Sequence, residues 1–273
     1  MVTNLVIGSE GFVGKVFSKY LKDDGEKVIH FDVKRTQNED GREAVLDLDG
    51  IDRVYFLAWD VGGSKYLYKE ETQLKQLDWN LKLLSNIMSQ LNISKTPFLF
   101  VSSQLAEEHN TVYGVTKRLG EVWTQLLNGV RVRLWNVYGP IEEPSERTHV
   151  ISDFVYQAIK TGEIKMLTSG LEQRQFIHVL DVCKALQQAI SMELSGIYDI
   201  TSFEWISIRQ VANIIADISD AKVIPGDRVG STPLTPIRGK IPKWLPSVKI
   251  ECGLKMMVDE MRYRLQQEGQ DNR

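Results

Sequence analysis

Five short stretches of the chain are apolar at nearly every position: NLVIG at 4–8, KVIHFD at 27–32, RVYFLA at 53–58, PFLFVSS at 97–103 and VRVRLWN at 130–136. Runs of this length, rich in β-branched and aromatic residues, predict strands covered on both faces, as in a parallel sheet. Between them FVGKVFSKYLKDDG, ETQLKQLDWNLKLLSNIMSQL and YGVTKRLGEVWTQLLNG repeat their apolar residues at helical spacing. Strand, helix and strand in alternation predict a doubly wound α/β sheet. Further on, DFVYQAIKTG, HVLDVCKALQQAISM, SIRQVANIIADIS and LKMMVDEMRYRLQQ read as helices, and GIYDIT as a short strand. Five of the eight prolines lie from Pro225 to Pro246, which predicts an irregular surface segment there.

Composition narrows the class without choosing a function. The chain has 273 residues, 42% hydrophobic and 25% charged, the profile of a soluble globular protein. A net charge of -3 leaves no basic footprint for a nucleic acid. No apolar run is long enough to insert in a membrane, and the short run near the start lacks a preceding basic region, so a cytoplasmic location without a signal peptide is expected. Two cysteines, Cys183 and Cys252, make no disulfide framework, and the histidines at 30, 109, 149 and 178 lack ligand spacing, so no metal is expected.

Candidate chemistry begins after the first strand, where Gly8, Gly11 and Gly14 open the first helix. Glycines there allow a tight turn and let the backbone approach a pyrophosphate seated on the helix N-terminus. Asp32, at the end of the second strand, stands where a carboxylate meets the adenosine ribose hydroxyls of a dinucleotide. A carboxylate favours NAD by repelling a 2′-phosphate. Lys34 and Arg35 follow and could accept that phosphate, so NADP stays open. Ser102 and Ser103 end the fourth strand, at the edge where open α/β sheets hold their ligands. Tyr113 and Lys117 lie four apart on the next helix and share a face. An ammonium beside a phenol favours the phenolate, so Lys117 is expected to lower the Tyr113 pKa and let it exchange a proton with an alcohol.

These motifs together resemble the extended short-chain dehydrogenase/reductase family, specifically its nucleotide-sugar epimerases, dehydratases and ketoreductases, over nearly the whole chain. VIGSEGFVG resembles the family's cofactor loop, which implies contacts from Gly8, Gly11, Phe12, Val13 and Gly14. LDL resembles the adenine contact (Asp47, Leu48), and FLAW the third strand end (Leu57, Ala58). FVSS followed by YGVTK resembles a Ser–Tyr–Lys catalytic set of Ser103, Tyr113 and Lys117, with Ser102, Tyr113 and Lys117 also touching the cofactor. RLWNVYGP and RQFIHVLDV resemble signatures whose Asn136 and Arg174 contact the substrate; Arg238 is a second candidate for its diphosphate.

The resemblance implies a Rossmann domain over 1–140, rejoined by 175–200, and a smaller nucleotide-sugar-binding domain of 141–174 and 201–273. It implies NAD as cofactor, a nucleotide sugar as substrate, a homodimer formed through the helix carrying Tyr113 and the helix before it, and a family-level role in polysaccharide precursor synthesis.

Departures from the family pattern bear on the reaction. Gln104 and Leu105 stand where sugar 4,6-dehydratases carry acidic residues, so elimination is not expected. VGGS at 61–64 and THVIS at 148–152 resemble stretches of the GDP-fucose synthases, which makes His149 a candidate second acid/base. Leu105 replaces those enzymes' catalytic cysteine, which argues against epimerisation at two centres. Trp59 replaces a common small residue near the cofactor. The expected reaction is hydride transfer at one sugar carbon, C4, as a 4-epimerase or 4-dehydrogenase. An NADPH-dependent 4-ketoreductase and a non-catalytic dinucleotide-binding subunit are the alternatives.

Overall fold

The computed structural model describes residues 1–108 and 110–271; His109, one of the four histidines, lies outside them. In chain order, β1 (Thr3–Ile7), α1 (Phe12–Asp23), β2 (Lys27–Phe31), β3 (Arg53–Phe56), a one-turn α2 (Ser64–Leu67), α3 (Glu70–Ser94), β4 (Phe98–Ser103), α4 (Val112–Leu126) and β5 (Val130–Leu134) build the first half. They are followed by β6 (Asn136–Tyr138), α5 (Val150–Thr161), β7 (Glu163–Lys165), β8 (Gln173–Arg174), β9 (Phe176–His178), α6 (Val179–Ser191), β10 (Ile197–Ile200), β11 (Ile206–Ser207), α7 (Ile208–Ser219), β12 (Lys222–Ile224) and α8 (Ile250–Asp271).

Six parallel strands make the central sheet in the order β10-β5-β4-β3-β1-β2. Its faces follow from strand periodicity. Val6, Tyr55, Leu99 and Val101 point to one side, where Phe17 and Leu21 of α1 and Val182, Cys183 and Leu186 of α6 cover them. Leu5, Ile7, Val54, Phe56, Phe98 and Phe100 point to the other, against Leu83, Leu84, Ile87 and Met88 of α3. All six strands and the long helices stand where the apolar pattern predicts them. The chain steps from β1 outward to β2 and back across to β3, so the winding reverses between β1 and β3 and opens a crevice at their carboxyl ends.

A separate core joins α5, α7 and α8 through Phe154, Val155, Val211, Ile215, Leu254, Met257 and Val258. Three two-stranded ribbons, β6–β9, β7–β12 and β8–β11, tie this region together. Their strands have two or three residues, too short for any periodicity to announce them. The proline-rich stretch has no helix or strand between β12 and α8, as expected. Its C-terminal end is nonetheless anchored, because Ile241 and Trp244 are buried in the core shared with α1 and α6.

Candidate active site

The glycine loop is built by backbone geometry that side chains would forbid. Gly8 has φ +92°, and a Cβ there would meet the backbone of Ala58. A Cβ on Gly14 would collide with the Gly8 carbonyl. The loop is pinned from the neighbouring strands: Gly8 N–H donates to Phe31 O at 2.8 Å, and Ala58 N–H to Ile7 O at 2.8 Å. The Asp32 carboxylate, nearly buried, accepts from Glu10 N–H and Lys34 N–H at 2.9 Å each. Glu39 accepts from Asp32 N–H at 2.8 Å and pairs with Arg35 at 3.3 Å. The phosphate-accepting role open to Arg35 is therefore opposed by two carboxylates beside it.

A cleft of about 960 Å³ runs from this loop along the strand ends. Its walls bring together Gly8, Gly11, Phe12, Val13, Gly14, Asp32, Leu57 and Ala58 with Ser102, Ser103, Tyr113 and Lys117, and with Asn136, His149 and Arg174. Three sequence candidates do not join them. Asp47 is exposed, its carboxylate accepting from Asp49 N–H, and Leu48 packs into the core beneath α3. Glu39, Asp40, Gly41 and Trp79 line the cleft near that segment instead. Arg238 turns outward, where its guanidinium holds Glu107 through two bonds of 2.9 and 3.0 Å.

Thr111 caps α4 by accepting from Gly114 N–H, and this helix sets Tyr113 and Lys117 on its inward face. The lysine does not tune the tyrosine as expected. Lys117 Nζ donates to the Val101 carbonyl at 2.6 Å and lies 4.1 Å from the centre of the Trp59 ring. Phe100 and Tyr113 complete an aromatic surround at 5.0 and 5.9 Å. Burial pushes the Lys117 ammonium well below its ordinary value, against the attraction of Glu121. Tyr113 packs among Trp59, Tyr66, Leu67 and Leu105. Burial raises its pKa to about 12, with the Ser103 hydroxyl pulling the other way. The phenol therefore keeps its proton near neutral pH, because desolvation outweighs a lysine charge directed elsewhere.

Beneath these groups lies a charged network. Ser102 donates to Glu121 at 2.7 Å, and Arg133 grips the same carboxylate at 2.6 and 2.8 Å while reaching Glu107 at 2.5 Å. Glu121 and Arg133 are 0% and 1% exposed. Burial pushes the Glu121 pKa up, but bonds from Arg133 and Ser102 bring it below its ordinary value. The network fixes the end of β4 on α4.

His149 caps the start of α5, held by Glu142 at 2.8 Å, and its ring lies 5.0 Å from that of Phe12. It is thus placed against the glycine loop. The neighbouring Arg147 reaches Asp60 at 2.7 Å and stacks 3.8 Å from the Tyr66 ring, while Gly63 N–H donates to its carbonyl. Lys69–Glu146 and Lys65–Asp153 extend this clasp between segments 60–69 and 146–153. Sequence reading named none of these partners. The glycines of VGGS were the available signal: a Cβ on Gly62 or Gly63 would press on Arg147 or Thr148.

A glycine turn at the switch point, a strand-end carboxylate and a Ser–Tyr–Lys set on one cleft define a dinucleotide-dependent enzyme. Residues 4–200 match the model of the NAD dependent epimerase/dehydratase family, and the chain belongs to that family. Its cofactor is NAD, which the glycine loop and the Asp32 and Glu39 carboxylates fit. Among curated proteins it is similar to the dTDP-4-dehydro-6-deoxy-D-allose reductase of Streptomyces bikiniensis, 23% identical over 84% of this chain and 86% of that one. It is equally similar, at 23% identity, to a putative UDP-glucose 4-epimerase of Methanocaldococcus jannaschii, over 94% of this chain and 98% of that one. Among solved structures, the Bordetella bronchiseptica enzyme WbmF in complex with NAD+ superposes with a TM-score of 0.79 at 22% identity, over 98% of this chain and 95% of that one. No helix among the described residues is long and apolar enough to cross a membrane.

Proposed function

We propose that this protein oxidises C4 of a nucleotide-linked sugar, as a 4-epimerase or 4-dehydrogenase. The observation that carries this reading is the meeting of Ser103, Tyr113 and Lys117 with the glycine loop on a single cleft. NAD, when bound, accepts and returns a hydride. Tyr113 exchanges the proton of the sugar hydroxyl at its Oη, Ser103 orients that hydroxyl, and Lys117, its Nζ fixed on the Val101 carbonyl, stands on the same wall of the cleft. Asn136 and Arg174 contact the substrate, with the Arg174 guanidinium directed at its diphosphate. Arg174 is already aligned, donating to Gln173 O and Ser231 O at 2.7 and 2.8 Å. Gln104 and Leu105 carry no carboxyl group, which supports oxidation without elimination. His149, beside Phe12, is assigned to the cofactor side of the cleft rather than to proton transfer.

The clasp of Asp60, Arg147, Lys69 and Glu146 supports a cofactor held between turnovers. Purified protein, denatured and examined by mass spectrometry, is expected to release NAD or NADH. With UDP- or GDP-hexoses supplied, proton NMR is expected to show the C4 epimer or a 4-keto product. Release of NADP instead, with oxidation of added NADPH by 4-keto sugars, would transfer the assignment to a ketoreductase.

A homodimer through α3 and α4 is part of the proposal. Val115, Leu119, Val122 and Leu126 form an exposed stripe on α4, beside exposed Leu74 and Leu81 of α3. Light scattering should give twice the chain mass for the natural protein and the single mass for a Leu119→Lys/Val122→Lys variant. A monomeric natural protein would remove the dimer from this reading.

A further inference from the structure

Trp59 stands just past β3, where the resembled enzymes commonly carry a small residue, and its ring lines the cleft. No hydrogen bond orients it, because the indole N–H has no acceptor among the described residues. Aromatic packing does so instead, with Phe100 edge to face at 5.5 Å and Phe56 tilted at 6.2 Å. The Lys117 ammonium lies 4.1 Å from the ring centre and donates to the Val101 carbonyl at 2.6 Å. That lysine is buried, and no carboxylate pairs with its Nζ among the described residues. Glu121, one helical turn on, is bound by Ser102, Arg118 and Arg133 instead. Burial pushes the lysine toward its neutral form. A buried cation without a paired counterion needs another source of negative potential, and an indole face is the best that aromatic side chains offer.

We infer that Trp59 is a positioning residue that acts through Lys117, its ring face holding the ammonium on the cleft wall beside Tyr113. The inference rests on the function proposed above and adds a residue to its machinery. A carboxylate in the same place would also hold the lysine, but it would cancel the charge. The ring holds the ammonium and leaves its charge uncompensated. Val101 takes one of the three ammonium protons, so donors remain for hydroxyls arriving in the cleft.

Trp59→Leu keeps apolar bulk without the π face, and Trp59→Phe keeps a smaller face. With UDP-glucose, UDP-galactose and GDP-mannose as substrates, Trp59→Leu is expected to lower kcat about 10–30-fold, the worth of a desolvated cation–π contact. KM should change little, and Trp59→Phe should recover most of the loss. In a Lys117→Met background Trp59→Leu should lower kcat no further, because the partner it works through is gone. Acetylation of Lys117 by acetic anhydride, followed by peptide mass spectrometry, reads the contact without turnover. Trp59→Leu should be labelled there several-fold faster than the natural protein or Trp59→Phe. Unchanged kcat or labelling in Trp59→Leu, an equal loss in Trp59→Phe, or a further loss in the Lys117→Met background would each overturn the inference. Should Trp59→Leu not fold, tetrafluorotryptophan at position 59 keeps the shape and strips the face of its negative potential. Unchanged kcat and labelling in that protein would overturn the inference equally. Absence of turnover by the natural protein on all three sugars would overturn the proposed function. In that event faster labelling of Trp59→Leu upholds the hold of Trp59 on Lys117, and equal labelling overturns it.

Discussion

Replacing Tyr113 with phenylalanine is expected to lower turnover by roughly 10²–10⁴-fold, the usual worth of a positioned acid/base, while NAD stays bound. The substitution removes one oxygen from a ring packed among Trp59, Tyr66, Leu67 and Leu105, so the wall of the cleft keeps its shape. With its pKa raised to about 12, the Tyr113 phenol holds its proton near neutral pH. It is thus poised to give a proton to a carbonyl, and it becomes a base only when positive charge enters beside it. Turnover by NMR and retained NAD by mass spectrometry separate the two roles. A variant keeping more than about a tenth of the activity would remove Tyr113 from proton transfer.

Arg133→Met should cost about 3–5 kcal/mol of folding stability, the range for breaking a buried ion pair from one side. Glu121, 0% exposed, would keep only Ser102 and the surface Arg118 as partners. Urea denaturation measures the loss, and a change under about 1 kcal/mol would show that the network is dispensable. Pairing the change with Glu121→Leu should recover part of the loss, because no charge is then left buried. Acid tests the same network from its outer end. Bonds from Arg238 and then Arg133 hold the Glu107 carboxyl down to about 2, against a reference of 4.5. A depressed carboxyl pKa contributes stability above its unfolded value and loses it as pH falls from about 4.5 toward 2. The urea midpoint should decline over that window, and less steeply in Glu107→Gln.

The strands and long helices were legible because each is long enough to show a period, and the glycine loop because its spacing follows directly from backbone geometry. Tyr113 and Lys117 were placed on one face by helical spacing alone. Their electrostatics were not legible, because burial and the direction of Lys117 Nζ depend on Trp59 and Val101, which come from other strand ends. Arg238 shows the same limit. An arginine that could meet a diphosphate reads identically to one already committed to Glu107, and only the fold distinguishes them. Asp47 was named from a local motif, but the segment after β2 meets the cleft at Glu39, Asp40 and Gly41 and has left it by Asp47. Trp59 was noticed only for its bulk. Its ring over the Lys117 ammonium became visible only with its neighbours in place.

The burial of Ile241 and Trp244 in the core between the sheet and helices α1 and α6 has a consequence for how this chain can be divided. The stretch matching the family ends at residue 200, some 40 positions before those two side chains. A fragment cut there would expose the surface they cover, and truncating one buried tryptophan alone costs about 3–5 kcal/mol. The carboxylates of Asp199 and Asp181 would lose the backbone N–H groups of Arg238, Ser247 and Val248 that they now accept from. The core of the six-stranded sheet is thus finished by a strap from beyond the matched stretch, and gene fusion or domain swapping at residue 200 would separate a core from its own closing stitch.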